Sequence, residues 1–397
     1  MIWATRFTEH VSRERTGGKG GGGGSTTVTT YSYSANFAVG LCEGEIATVR
    51  RIWADGQLLN LSKLNMRVYL GTEDQMPDPL ILAKQGAGNA PAYRGLAYVV
   101  FENFALENYG NRIPLLQFEV VKVTGTLERQ IRAVTMIPGS SEHAYATTPV
   151  TEEVGFGEVR VINRNLSGAY TDWQASLDEL QAVCPNLEAV ALVVSWFGTD
   201  MRAGHCRVLP GVEVKSRSKE SAPWQVAGYH RSNAYMVSTR NNGPAYGGTP
   251  SDVSVRQAIA DLKKRGLKVC LYPFLMMDVP QDNGLPDPYG NEHQDSYGWR
   301  GHITCYPAPG RDGTSDQTSA VRLEVSQFLT RTEGYRRMVL HYANLAAQAG
   351  GVDLFLIGSE LRGLTQLRAE DDSFPFVDGL VTLAQDVRAI LGPATRL

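Results

Sequence analysis

Cysteine is scarce and unpatterned in this chain. Five thiols, Cys42, Cys184, Cys206, Cys270 and Cys305, are scattered over 397 residues with no CxxC among them, which argues against a disulfide framework. GHC (Gly204 to Cys206) and HITC (His302 to Cys305) each offer imidazole and thiolate, the ligand types zinc takes, but neither has finger spacing. Buried thiols and loop histidines are the simpler reading, and no metal or cofactor is called for. An excess of either charge is also missing. The 38 basic residues against 41 acidic give a net charge of -3, which excludes the basic face of a nucleic-acid binder. No apolar run approaches the roughly 20 residues of a membrane span, and MIWATRF lacks the charged-then-apolar layout of a signal peptide. The sequence reads as a soluble, unexported chain. There is no GxSxG and no evident Ser/His/Asp set. The glycine-rich stretch 17–24 is no phosphate loop, because Lys19 is followed by glycine rather than Ser or Thr.

Strand signals dominate the first part. From Tyr31 to Val39 apolar residues alternate with Ser32, Ser34, Asn36 and Ala38, the period of a half-buried strand. In EIATVRRIWADGQLLNLS two apolar runs meet at Asp55-Gly56, a pair that tolerates the positive φ of a tight hairpin. Further strands read at 66–70, 93–101 and 114–123. The glycine run lies between strand-like segments and is expected to be a poorly ordered loop within one domain. TLERQIRAVTMI reads as a short helix, and the boundary is set near residue 150. Residues 151–185 form a connection ending in the helix DWQASLDELQAVCP.

Beyond this, strands and helices alternate. EAVALVVSWFG, NAYMVS (233–238), LKVCLYPFLMMD (267–278) and VDLFLIGSE (352–360) read as four strands, and the helices between them include one capped by Ser251 or Asp252 and ended by Gly266. The expected fold class is α+β and multidomain. A mainly antiparallel β region, residues 1–150, precedes about four β/α units in 186–397, either a partial (β/α)8 barrel or a doubly wound sheet. A full barrel needs about 250 residues, so another chain is expected to complete this one, or the sequence belongs to something longer.

In such barrels chemistry gathers at the carboxyl ends of the strands. Those ends supply Trp196, Phe197, Asp200, Arg202 and His205, then Asp278, then Glu360 and Arg362. Glu360 leaves an apolar strand directly. Desolvation there favours the protonated carboxyl that a general acid for glycosidic cleavage requires; equally, Glu360 serves as a structural partner of Arg362 or Arg300. Asp278 is the second carboxylate in view, or else a loop cap. The loop 286–312 carries Tyr289, Trp299 and Arg300, suited to stacking on sugar rings or to packing the loop against itself.

Long segments of the chain, GTEDQMPDPLI, APAYRGLAYVVFENF, YGNRIP, SWFGTDMRAGHCRVLPGVE, PAYGGTPSD, YPFLMMDVP, LPDPYG, WRGHITCYPAPG and FLIGSELRGLT, resemble the large baseplate hub proteins of gene transfer agents and related siphophage tails. VGLCEGEIATVRRIWADGQLL resembles, more faintly, the start of lambda-type tail-tip attachment proteins. The resemblance implies a tail-hub region in 1–150, a glycoside-hydrolase-like TIM barrel cut at its N-terminal half, and a homotrimeric ring at the tail tip beside tube and distal tail proteins, facing host cell-surface glycan. It also implies that Glu360 occupies the acid/base position after strand four, while the nucleophile after strand seven has no counterpart here.

Overall fold

The structure, a computed structural model, describes residues 1–16, 26–137, 142–166 and 169–397. The glycine-rich stretch expected to form a loop at 17–24 lies outside the described residues. The chain divides into two compact units, one of Met1–Gln130, Leu166–Tyr170 and Gln174–Asn186, the other of Ile131–Asn165, Thr171–Trp173 and Leu187–Leu397.

The first unit is antiparallel β. Its larger sheet runs Trp3–Ala4, Thr26–Glu43, Leu96–Ala105, Met66–Leu70, with Thr8–Thr16 paired along the first half of Thr26–Glu43. The strands on either side of the glycine run therefore pair with each other, closing the register at Thr16↔Thr26. A smaller sheet joins Gln57–Leu58, Thr48–Ala54 and Leu116–Val121. Its hairpin turns at Asp55 (φ 47°) and Gly56 (φ 80°), the twist-matched geometry the Asp-Gly pair favours. The alternation takes effect from Tyr33, which packs half-buried against the core. Ala35 and Phe37 enter a core with Ile46, Ile52, Val99, Phe101 and Phe104, whereas Tyr31 is exposed.

The opposite face of the larger sheet is covered by the helix Pro79–Gln85, which buries Ile81 against Tyr98 and Val100. Asp78 caps it, accepting from the Leu80 and Ile81 amides, and is itself fully buried with Arg67 (2.6 Å) and Tyr69 (2.8 Å). Just upstream, Gly71 has φ 85°, and a Cβ there would lie 2.7 Å from the Gly44 carbonyl oxygen. The GTEDQMPDPLI segment thus consists of a glycine required by close backbone approach, a capping Asp and a helix start.

In the second unit a parallel sheet runs Ala133–Met136, Ala189–Gly198, Lys268–Met277, Leu354–Phe355, and Arg396 adds a parallel bridge to Leu354. The helices Asp252–Lys264, Ala320–Thr330 and Tyr335–Gln348 stand between its strands in sequence, and Pro375–Leu391 lies between Leu354–Phe355 and the bridge at Arg396. Two strand assignments change. The stretch read as a short helix keeps only Leu127–Gln130 helical, and Ala133–Met136 becomes a sheet strand. NAYMVS is not in this sheet; only Tyr235–Met236 pairs, with Gly211–Val212. The last strand is also short, so the chain from Leu356 to Glu360 is loop rather than strand. Residues 131–150, placed before the boundary by sequence, group with the second unit. Among the described residues no helix is long and apolar enough to cross a membrane.

Candidate functional site

Three of the residues singled out by sequence meet. Glu360 stands in the loop after Leu354–Phe355 with φ 55°, a conformation that costs a non-glycine residue about 1–3 kcal/mol and persists only where the surroundings enforce it. Here Trp299 Nε1 donates to Glu360 Oε2 (2.6 Å), and Arg300 Nη2 lies 3.0 Å from Oε1. Arg300 is fixed in turn. It is buried with its guanidinium 3.7 Å over the Phe274 ring, and it donates to the Ser359 carbonyl, while Tyr272 donates to Ser359 Oγ (2.6 Å). The partner of Glu360 is therefore Arg300; the exposed Arg362 begins the short helix Arg362–Thr365. Desolvation of Glu360 is not observed. Its side chain is 50% exposed, because the strand ends five residues earlier and the loop carries it outward.

An aromatic row continues from this pair. His302 packs edge-on against Trp299 (5.4 Å between centroids) and Tyr289 against His302 (5.8 Å), while Tyr289 donates to the His302 carbonyl. Trp299 is 41% exposed, so it offers a face to solvent beside a carboxylate.

Asp278 follows Lys268–Met277 and is almost wholly buried. It accepts from Tyr235 Oη (2.8 Å), the Ser238 amide (2.8 Å) and Ser238 Oγ. Tyr297 packs over this knot, edge-on to Tyr246 at 5.7 Å and under Arg240, with φ 53°. Burial first and then Asp278 push the Tyr246 phenol up to about 12 and the Tyr235 phenol higher still, so both remain donors at neutral pH. This arrangement fits a carboxylate that positions tyrosines better than one that meets a ligand directly.

The remaining candidates take other places. Trp196 is fully buried, its Nε1 donating to Tyr342 Oη, and belongs to the core. Arg202 pairs with Asp200 (2.7 Å) beneath Tyr306, and Gln294 donates to Asp200 while accepting from the Met201 amide. His205 is exposed, with its amide donating to the Arg202 carbonyl and its own carbonyl accepting from Arg331. Cys206 and Cys305 are buried, and burial pushes the Cys206 thiol up to about 12. Among the described residues no three His, Cys, Asp or Glu side chains cluster as metal ligands. Tyr235, Ser238, Tyr246, Tyr297 and Gln294 escaped the sequence reading. The alternation of NAYMVS suggested a strand, and the Tyr-rich loops carry no spacing that assigns a partner.

The family described as the GTA TIM-barrel-like domain matches residues 333–397. A chain from the virion of a native gene transfer agent particle is 45% identical, over 35% of this chain and 29% of that one, with a TM-score of 0.26. A GH113 beta-1,4-mannanase is 17% identical over 51% of this chain and 41% of its own, with a TM-score of 0.25. The GH113 beta-mannanase AaManA from Alicyclobacillus acidocaldarius, in complex with ManMIm, gives 18%, 52%, 42% and 0.26. No curated protein matches. At these TM-scores the overlays carry no argument, and the match spans less than a third of the particle chain's length. The family match includes Glu360: residues 333–397 are similar to the GTA TIM-barrel-like domains, and over 35% of its length the chain shares 45% identity with a chain of a gene transfer agent particle.

Proposed function

We propose that this chain is a structural component of a phage-like or gene-transfer-agent tail tip, and that its barrel-like region contacts host cell-surface glycan through Glu360, Trp299 and Arg300. The hub domain, expected over 1–150, would end at Gln130, because Ala133–Met136 pairs into the barrel-like sheet; 151–185 would be the connection and 186–397 the first half of a glycoside-hydrolase-like barrel. Association as a trimer with tube and distal tail proteins belongs to the same reading. The observation that supports glycan contact is the half-exposed Glu360, held at positive φ beside an exposed indole. Indole faces stack on sugar C–H surfaces, and a carboxylate beside them accepts hydroxyl hydrogen bonds.

Adhesion without cleavage is a reading with its own support. Both oxygens of Glu360 already act as acceptors, and Asp278, the other carboxylate considered, is sealed by three donors. A glycosidase needs two carboxyl groups flanking the bond. A free glycoside hydrolase with an accessory β domain is the less supported alternative for the same reason. The wild-type chain and Glu360→Gln, incubated with host peptidoglycan and surface polysaccharides, separate these readings. Reducing ends released by wild type alone support an enzyme, binding without release supports adhesion, and absence of both overturns the glycan reading.

A further inference from the structure

The most densely charged part of the molecule lies outside the candidate site. Glu142, Glu152, Glu213 and Glu220, all with nearly buried side chains, face only two buried guanidiniums, Arg217 and Arg231. Glu152 recruits the more exposed Arg160, and Glu220 recruits His143 (2.7 Å). Glu142 and Glu213 are left competing. Glu142 Oε1 accepts from Arg231 (2.9 Å) and from the Glu213 amide (2.8 Å), while Arg217 Nη2 lies 3.3 Å from Glu142 Oε2 and 3.7 Å from Glu213 Oε2. The Glu213 carboxylate otherwise accepts only a long bond from the Gly248 amide (3.3 Å). Arg217 gives its terminal nitrogens to Glu152 and Glu142. Its buried Nε has no hydrogen-bond partner and sits 4.0 Å from Glu220.

We infer that Glu213 keeps its proton in the packed excursion Val208–Thr249, on which Tyr235, Ser238 and Tyr246 stand, and that losing this proton loosens the excursion. Two carboxylates on one side of a single nitrogen repel each other unless one is neutral. The connection to the candidate site is short: Glu213 directly follows Gly211–Val212, whose pairing partner Tyr235–Met236 carries the tyrosine that holds Asp278. The groups facing Glu213 are Glu142 from the segment before the excursion, Arg217 and Arg231 from the excursion itself, and the Gly248 amide from its end; His143 acts one step away, through Glu220.

Burial, and then Glu142, raise the Glu213 carboxyl from 4.5 to about 7. A carboxyl whose value is raised in the closed form favours that form below its ordinary value and loses the advantage as pH rises to the raised one. Opening of the excursion therefore becomes about tenfold easier per pH unit between the two values and levels off above about 7. The switch operates whatever ligand the site takes.

Hydrogen exchange on the full chain, corrected for intrinsic rates, reads this directly. Protection of peptides within 208–249 should fall roughly fortyfold between pH 5 and pH 7, while the helix Asp252–Lys264 stays constant; Glu213→Gln should hold the pH 5 level throughout. A flat wild-type profile, or a variant that follows wild type, overturns the switch. Should Glu213→Gln not fold, carbon-13 titration of the wild-type Glu213 carboxyl decides: a midpoint near 7 supports the retained proton, and one near 4.5 overturns it.

Discussion

Asp78 illustrates how much a single side chain carries. It caps Pro79–Gln85, pairs with Arg67 and accepts from Tyr69, all while fully buried. Burial pushes its carboxyl up, but the Arg67 and Tyr69 hydrogen bonds prevail and hold it below the usual range. Asp78→Ala should therefore destabilise the first unit by about 1–3 kcal/mol, the loss of a cap together with the hydrogen bonds from Arg67 and Tyr69, while Arg67 keeps Glu102. Asp78→Asn, which keeps the cap acceptor, should cost less. Denaturant unfolding followed through Trp3 and Trp53 measures both, and equal losses would show that the charge facing Arg67, not the cap, is what matters. The sequence marks this position through Asp-Pro ahead of an apolar run, because capping is local. It does not mark the environment of Glu360, where exposure depends on a strand that stops after Phe355 and an arginine sixty residues upstream.

Elements were legible where local chemistry decides them and obscure where tertiary pairing does. Asp-Gly set the hairpin at 55–56, and Ser251 set the start of Asp252–Lys264, its side chain accepting from the Ser254 amide. Ser251→Ala should cost about 1 kcal/mol, as loss of an N-cap does; a shift in the unfolding midpoint of the second unit measures it, and Ser251→Asp should restore most of it. In contrast, Ala133–Met136 and Tyr235–Met236 are both short and mixed, and only the neighbour available to each separates a sheet strand from a loop pairing. The helix Ala320–Thr330 follows the loop 286–312 and is not among the elements named from the sequence. Its signal was present nonetheless, since Val321, Val325, Phe328 and Leu329 fall on one helical face and are buried.

At the scale of the whole molecule, each unit has its own chemistry, and neither describes an assembly by itself. One feature of the first unit does bear on assembly. Thr8–Thr16 pairs with Thr26–Glu43 as far as Ser34, where Leu96–Ala105 joins from the other side, so the far part of the hairpin has no further strand beside it among the described residues. Val11, Val28 and Tyr31 are exposed on it. A two-stranded ribbon is marginal in water, and its open edges favour pairing or packing with another chain. The proposed trimer would give such a ribbon a neighbouring copy to lie against. Light scattering at micromolar concentration should then return three times the 43.4 kDa chain mass, and Tyr31→Ser together with Val11→Ser should lower it. A wild-type chain that stays monomeric would count against the ring, and a trimer indifferent to these two substitutions would move its contacts away from the hairpin.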